Sequence, residues 1–103
     1  MSYEECIKTC LDCAMDCENC LHKMMGIESH NDCPSCCREC LEICILCAQA
    51  MTRNSKYIKE YCRLCAEICD WCSEQCEEHK YDHCKRCAES CRRCAKECRK
   101  VAA

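Results

Sequence analysis

The sequence predicts an all-α fold, namely an antiparallel up-down-up-down four-helix bundle with a cysteine-lined core. Of its 103 residues 21 are Cys, and most successive cysteines lie three or four positions apart. This spacing places their side chains on one face of an α-helix. Only one Gly and one Pro occur, Gly26 and Pro34. That scarcity argues against loop-rich folds, which need turn residues throughout the chain.

Each predicted helix carries five cysteines in alternating steps of three and four. In chain order the four stripes are Cys6, Cys10, Cys13, Cys17 and Cys20; Cys33, Cys37, Cys40, Cys44 and Cys47; Cys62, Cys65, Cys69, Cys72 and Cys76; and Cys84, Cys87, Cys91, Cys94 and Cys98. They correspond to the a and d positions of a heptad, with thiols in place of Leu or Ile. Cys36 is one further cysteine beside the second stripe.

Helix ends follow from the residues between the stripes. We expect helices at about 3–25, 33–52, 55–78 and 82–100. Asn31 or Asp32, Asn54 or Ser55, and Asp82 are the expected N-cap residues of the second, third and fourth helices. The connections are short, so neighbouring helices should run antiparallel.

Antiparallel alignment predicts that the stripes meet in five layers of four thiols. The layers are Cys6, Cys47, Cys62 and Cys98; Cys10, Cys44, Cys65 and Cys94; Cys13, Cys40, Cys69 and Cys91; Cys17, Cys37, Cys72 and Cys87; and Cys20, Cys33, Cys76 and Cys84. Cys36 is left beside the last layer. We expect one closed end, with Tyr3, Met51, Ile58 and Val101, and one open end, with Met24, Met25 and all four His.

Composition narrows the classes of function. The whole chain, residues 1–103, fits one domain. A net charge of -3 gives no case for nucleic acid or membrane binding, and no apolar run is long enough to span a bilayer. The first residues show neither a basic nor an apolar leader region. We therefore expect a cytoplasmic protein with reduced thiols.

A seam made only of thiols points to soft metal ions. Cys fills less volume than Leu, so we expect an underpacked core unless a ligand fills it. Neighbouring seam thiols on one helix are poorly placed for disulfides. Thiolates select soft metals. Cβ atoms four positions apart lie roughly 5–6 Å apart, close to the roughly 4.6 Å span of a linear sulfur–metal–sulfur unit.

Charge favours a monovalent ion in this core. Five zinc ions in five thiolate layers would leave about -10 in a low-dielectric interior, whereas one Cu(I) per thiolate leaves it near neutral. Ag(I) would satisfy the same rules.

Two alternative functions stay open. One is an iron–sulfur or thiol redox and electron-transfer protein, and the other is a zinc-binding structural module. The Cys33–Cys37 segment does not match a ferredoxin signature. Catalysis is not expected.

The sequence resembles the bacterial copper storage proteins, four-helix bundles with Cys-lined interiors, over its whole length. The resemblance rests on eight Cys-x-x-x-Cys pairs, 6/10, 13/17, 33/37, 40/44, 65/69, 72/76, 87/91 and 94/98. It rests also on the segment from Cys76 to Cys84, with His79 and His83, which joins helices 3 and 4. It implies Cu(I) storage and detoxification, tetramers of bundles, and copper passage at the His/Met end. Cys36 departs from the family pattern, and the sequence leaves two roles open for it, an extra copper ligand or an exposed thiol.

Residues outside the stripes extend the predicted site and suggest an interface. All 21 cysteines are candidate copper ligands, and His79, His83 and Met24 are candidates at the open end. Helices 2 and 3 carry second apolar stripes, made of Leu41, Ile45 and Ala48, and of Tyr57, Tyr61, Leu64, Ile68 and Trp71. Since the thiol seam already points inward, these stripes either flank the core within the bundle or face a partner. Continuous apolar cover beside a full seam favours the partner, so we expect a homo-oligomer formed through helices 2 and 3.

Overall fold

The structure, a computed structural model, describes residues 2–103 and consists of four α-helices. They are α1 Glu4–Lys23, α2 Ser35–Thr52, α3 Ile58–Glu77 and α4 Asp82–Ala102. These bounds agree with the sequence-based ranges to within three residues. Helix α1 packs on α2 and α4, and α3 packs on the same two helices. The predicted all-α four-helix bundle is confirmed.

Contacts between thiols show the direction of the helices. The Cys6 Sγ near the start of α1 lies 3.8 Å from the Cys98 Sγ near the end of α4. At the other end of α1, the Cys20 Sγ lies 3.7 Å from the Cys84 Sγ at the start of α4. The two helices are therefore antiparallel. The bundle measures 41 × 19 × 17 Å, so it is one helix long and two helices wide.

The predicted N-caps are wrong for all three helices. The residues before the helices are Tyr3, Pro34, Tyr57 and Tyr81, and none of them makes a side-chain capping hydrogen bond. Asp82 is the first residue of α4 itself, where its carboxylate favours the positive end of the helix dipole. Asn31 lies too far before α2 to cap it; its side chain bonds to the Cys33 backbone N–H and reaches across to α3.

Small residues let the four helices approach closely. Alanines that directly follow a seam cysteine are buried, with at most 4 % of their surface exposed: Ala14, Ala48, Ala66, Ala88 and Ala95. A buried position beside the seam lies where one helix meets the next. The sulfurs consequently approach to between 3.5 and 4.0 Å, which is ordinary van der Waals contact. The expectation of an underpacked metal-free core is wrong, because alanines bring the thiols together.

The two ends of the bundle differ chemically. At one end the side chains of Met51, Ile58 and Val101 are buried and form the predicted apolar plug. At the other end, the chain between α1 and α2 crosses the bundle, and the side chain of its first residue, Met24, is buried. Within residues 2–103, no helix combines the length and the apolar character that crossing a membrane requires.

Enlarging a buried alanine should destabilise the bundle. Ala88 is fully buried, so Ala88→Leu should force the helices apart and lower the free energy of unfolding by about 1–3 kcal/mol. The matched control is Glu89→Leu, at an exposed neighbouring position, with an expected change within about 0.5 kcal/mol. Urea unfolding of the reduced, metal-free protein, followed by circular dichroism, gives both values. Equal stability of the two variants would contradict close helix packing at Ala88.

Candidate metal centre

All 21 cysteines point into the bundle as free thiols. Cys6 exposes 3 % of its surface and every other cysteine exposes none. Cys36 is among the buried ones, so it is not the exposed thiol that the sequence left open. The positions of the seam follow directly from the helical period, since each stripe of threes and fours occupies one helix face. The result is a column of sulfur atoms along the bundle axis.

The predicted layers are present, and the central one illustrates them. The Cys13 Sγ lies 3.8 Å from the Cys40 Sγ and 3.7 Å from the Cys91 Sγ. The Cys40 Sγ in turn lies 3.6 Å from the Cys69 Sγ. Thiols from four different helices thus meet at one level. The other four layers also contain sulfur contacts across helices, at 3.5–3.9 Å.

Successive layers are joined rather than separate. The Cys17 Sγ lies 4.0 Å from the Cys91 Sγ of the next layer, and the Cys37 Sγ lies 3.6 Å from the Cys76 Sγ. Six of the eight Cys-x-x-x-Cys pairs place their two sulfurs 3.9–4.0 Å apart along a helix. These contacts join sixteen thiols, drawn from all five layers, into one network, which the sequence layers alone did not predict.

Groups of four thiols within this network have the spacing of metal ligands. In one such group the sulfurs of Cys20, Cys37, Cys76 and Cys87 lie within 4.8 Å of one another. With metal–sulfur bonds of about 2.3 Å, trigonal coordination separates the sulfurs by about 4.0 Å and linear coordination by about 4.6 Å. The network fits both arrangements with shifts below about 1 Å. Tetrahedral coordination, at about 3.8 Å, also fits, so charge has to discriminate.

No cation lies in this core to balance thiolate charge. Among residues 2–103 the buried polar side chains are Ser73, His79 and Ser90, and every Lys and Arg is exposed. Ionising neighbouring thiols would place like charges 3.5–4.0 Å apart in a low-dielectric interior. Neutralisation must therefore come from protons or from bound metal ions.

Thiol pKa values reflect this competition for protons. Burial, and then repulsion from Cys20, raises the pKa of Cys84 well above its ordinary value. Hydrogen bonds with neighbouring thiols, together with burial, raise the pKa of Cys17 and Cys44 in the same direction. Hydrogen bonding with Cys10 lowers the pKa of Cys98 to about 6. Adjacent thiols thus hold their protons unequally, and the network cannot ionise as a whole without metal.

Two of the three predicted open-end ligands meet a thiol. The Met24 Sδ lies 3.8 Å from the Cys84 Sγ, and the His83 Nδ1 lies 3.5 Å from the same sulfur. Met24 is buried and His83 is half-buried. Thioether, imidazole and thiol are all ligands for copper, so the network ends in a mixed donor group at this end.

His79, the third predicted ligand, is turned differently. Its ring is buried, and its Nε2 lies 3.0 Å from the Asn31 Oδ1 and 3.1 Å from the Ser29 Oγ. It also packs against the ring of His30, with ring centroids 4.7 Å apart. Sequence reasoning missed Asn31 and Ser29 here, because a polar residue just before a helix is most simply interpreted as a cap.

Comparison with known proteins agrees with the geometry. The copper storage protein family model matches residues 1–103. A cysteine-rich protein of Bacillus subtilis (strain 168), YhjQ, is 42 % identical over an alignment 103 residues long. The alignment covers 97 % of this chain and 95 % of YhjQ.

Two solved structures have the same fold along almost their full length. The Cu(I)-bound copper storage protein BsCsp3 is 40 % identical, with a TM-score of 0.93 and 98 % of each chain covered. Apo-Csp3 from Bacillus subtilis is 41 % identical, also with a TM-score of 0.93, and covers 99 % of this chain and 100 % of its own. A whole-chain match to the family model at these identities is decisive: this chain belongs to the copper storage protein family.

Proposed function

We propose that this protein stores Cu(I) by binding many ions to the thiolates inside its bundle, at roughly one copper per thiol. The observation that carries the proposal is the continuous network of buried, unpaired thiols with no buried cation beside it. Membership of the copper storage protein family and the similarity to Cu(I)-bound BsCsp3 support it. Storage in this form also removes copper from reactive sites elsewhere, which constitutes detoxification.

Charge balance selects a monovalent soft ion for this network. Five zinc ions on five thiolate layers would leave about -10 in the interior, a heavily penalised charge. One Cu(I) per thiolate, with sulfurs bridging neighbouring ions, leaves the interior near neutral. The contacts between layers supply the neighbouring sulfurs that bridging needs. Tetrahedral zinc fits the sulfur spacing but leaves this uncompensated charge in the interior, so the charge balance favours Cu(I) over a zinc module.

The uptake step is ligand exchange without electron transfer. A copper ion leaves its donor ligands, a thiol releases its proton to water, and the sulfur binds the ion. We place the first contact at the open end, where Met24, His83 and Cys84 form a mixed donor group. His79 stays in the proposed ligand set through Nδ1, since its Nε2 is occupied by Asn31 and Ser29. The full set of proposed copper ligands is Met24, His79, His83 and all 21 cysteines.

The chain acts as one cytoplasmic storage domain with no catalytic role. The thiols are enclosed, so a substrate would find no open coordination position. A reducing compartment keeps such thiols free, as they are in the structure.

We further propose that bundles associate as a homotetramer through α2 and α3. Leu64 and Tyr57 on α3 expose 47 % and 50 % of their surfaces, and Leu41, Ile45 and Ile68 are half-buried beside the core. A groove lined by Leu46, Leu64 and Ile68 runs between these two helices. Contiguous apolar surface of this kind is typical of association surfaces.

Copper titration tests storage directly. Reduced protein titrated with Cu(I) against a competing chelator should bind roughly twenty ions per chain, because each buried thiol contributes one binding equivalent. Replacing the central layer, Cys13, Cys40, Cys69 and Cys91, by Ser should lower the plateau by about four. Ser73→Ala, which leaves the thiols intact, serves as the control. A plateau at four ions or fewer in the unmodified protein would overturn the storage function.

Copper uptake should release protons. Most of the thiols are protonated at neutral pH, since their ordinary pKa is about 8.5 and burial raises that of groups such as Cys84. Protons compete with copper below the thiol pKa, so affinity should fall as pH falls, by about tenfold per pH unit when one proton leaves per ion. Calorimetry in buffers of different ionisation enthalpy counts the protons. If the Cu(I) affinity were the same at about pH 6 and about pH 8, copper would not be exchanging with protons.

A charge on the α3 face should break the oligomer. Leu64→Lys should shift the sedimentation coefficient to that of a smaller species, because an unpaired charge would be buried at the interface. Leu11 on α1 is almost equally exposed, at 46 % against 47 % for Leu64, and lies outside the proposed interface. Leu11→Lys is therefore the matched control and should leave the assembly unchanged. If Leu11→Lys dissociates it and Leu64→Lys does not, the interface lies on α1.

A further inference from the structure

Copper cannot reach the thiol network without a movement of the protein. Every cysteine except Cys6 exposes none of its surface, and Cys6 exposes 3 %. Met24, the thioether at the open end, exposes 1 %. A stored ion that enters or leaves must therefore pass through a part of the bundle that opens, and the two ends offer different obstacles.

The plugged end is held by apolar contacts. Met51, Ile58 and Val101 are buried there, with at most 7 % of each surface exposed. Opening this end would transfer apolar side chains to water, where they have no replacement for the contacts they lose.

The opposite end is covered by residues 24–34, the segment that connects α1 to α2, which we call the strap. The strap begins at the C-cap of α1 and ends at the residue before α2. Gly26 has a φ of +82°, a conformation that favours glycine, and no neighbouring atom lies within 4 Å of the position that a Cβ would occupy. Met25 exposes 72 % of its surface. The strap thus has little apolar burial of its own apart from Met24 and Cys33.

One side chain fastens the strap to the rest of the bundle. The Asn31 Nδ2 donates to the backbone carbonyl of Gln75 at 2.8 Å and to the Glu78 Oε1 at 2.7 Å, both at the C-terminal end of α3. The Asn31 Oδ1 accepts from the His79 Nε2 at 3.0 Å and from the Cys33 backbone N–H at 3.0 Å. The amide therefore uses both of its donors and its acceptor.

Neighbouring contacts reinforce the same connection. The backbone N–H of Asp32 donates to the Gln75 Oε1 at 2.8 Å. The Ser29 Oγ lies 3.1 Å from the His79 Nε2. The fastening is thus made of hydrogen bonds, whose donors and acceptors water can satisfy when the strap lifts.

The fastening adjoins the first copper-binding group. The Tyr81 ring stacks on the His83 ring, with centroids 5.2 Å apart and planes 6° from parallel, and also lies beside His79. The His83 Nδ1 is 3.5 Å from the Cys84 Sγ. Since Asn31 binds His79, and Tyr81 lies beside both His79 and His83, the fastening and the mixed donor group share one end of the bundle.

We propose that the strap is the gate for copper and that Asn31 is its latch. When the hydrogen bonds of Asn31 to Gln75, Glu78 and His79 break, the part of the strap after Gly26 lifts and opens a path to Met24 and Cys84. The polar fastening opens more readily than the apolar plug, so exchange proceeds at this end. The inference rests on the proposed storage function, because it concerns the passage of the stored ion.

Removing the latch should speed release without changing capacity. Asn31→Ala loses several hydrogen bonds at once, so Cu(I) transfer from the loaded protein to excess bicinchoninate should become at least about tenfold faster. The number of ions bound per chain should stay the same. The control is Ser55→Ala at the plugged end, where the Ser55 Oγ accepts from the Tyr57 N–H at 3.1 Å, and its release rate should match that of the unmodified protein.

Three results would overturn the latch. They are a release rate for Asn31→Ala within twofold of the unmodified protein, an equal acceleration by Ser55→Ala, and a slower release. If Asn31→Ala does not fold, Gln75→Ala replaces it, since it removes only the bond from Asp32, and it should speed release several-fold. An unchanged rate for Gln75→Ala would then reject the proposal.

Hydrogen exchange separates this inference from the storage function. In the metal-free protein, the amides of residues 24–34 should exchange at least about tenfold faster in Asn31→Ala, while those within α2 and α3 keep their rates. This readout needs no copper. A protein that binds few ions but shows the faster strap exchange would refute storage and leave the moving strap standing, whereas unchanged strap exchange would refute the latch alone.

Discussion

Neutralising a column of buried sulfurs is the constraint on which the structure depends. The thiols lie in contact within a narrow bundle, and the exposed Lys and Arg side chains cannot reach them. Such a core can be neutral in two states, with protons on the sulfurs or with monovalent ions between them. Because both states keep the interior uncharged, exchanging protons for monovalent ions adds no net charge to the interior.

The close contact of the sulfurs comes from residues that bind nothing. Alanines such as Ala14 and Ala88, directly after seam cysteines, occupy the places where larger side chains would hold the helices apart. The cysteines then touch both within and between layers, so ions can share sulfurs along the whole length of the bundle. Separate tetrads would favour a few divalent ions, whereas a continuous network favours many monovalent ones.

Sealing the core protects the stored ions and creates the need for a gate. An interior with no exposed sulfur keeps water and oxidants away from reduced thiols, but it also isolates the cargo from its donors and recipients. The asymmetry of the ends resolves this conflict. Apolar side chains close one end firmly, and a connection between helices, held by the side chain of Asn31, closes the other with bonds that water can replace.

The sequence by itself determined the bundle, the inward seam and the five thiol layers, because the steps of three and four are a property of each helix alone and survive any packing arrangement. It also indicated copper, since thiol softness and charge are chemical and do not depend on coordinates. Only the tertiary structure decided the links between layers, the burial of Cys36 and the roles of Asn31 and His79. These depend on distances between segments far apart in the chain, such as the 44 positions that separate Asn31 from Gln75. The expected cap Asn31 was wrong for the same reason: its side chain also bonds across the bundle, and only the position of α3 settles that choice.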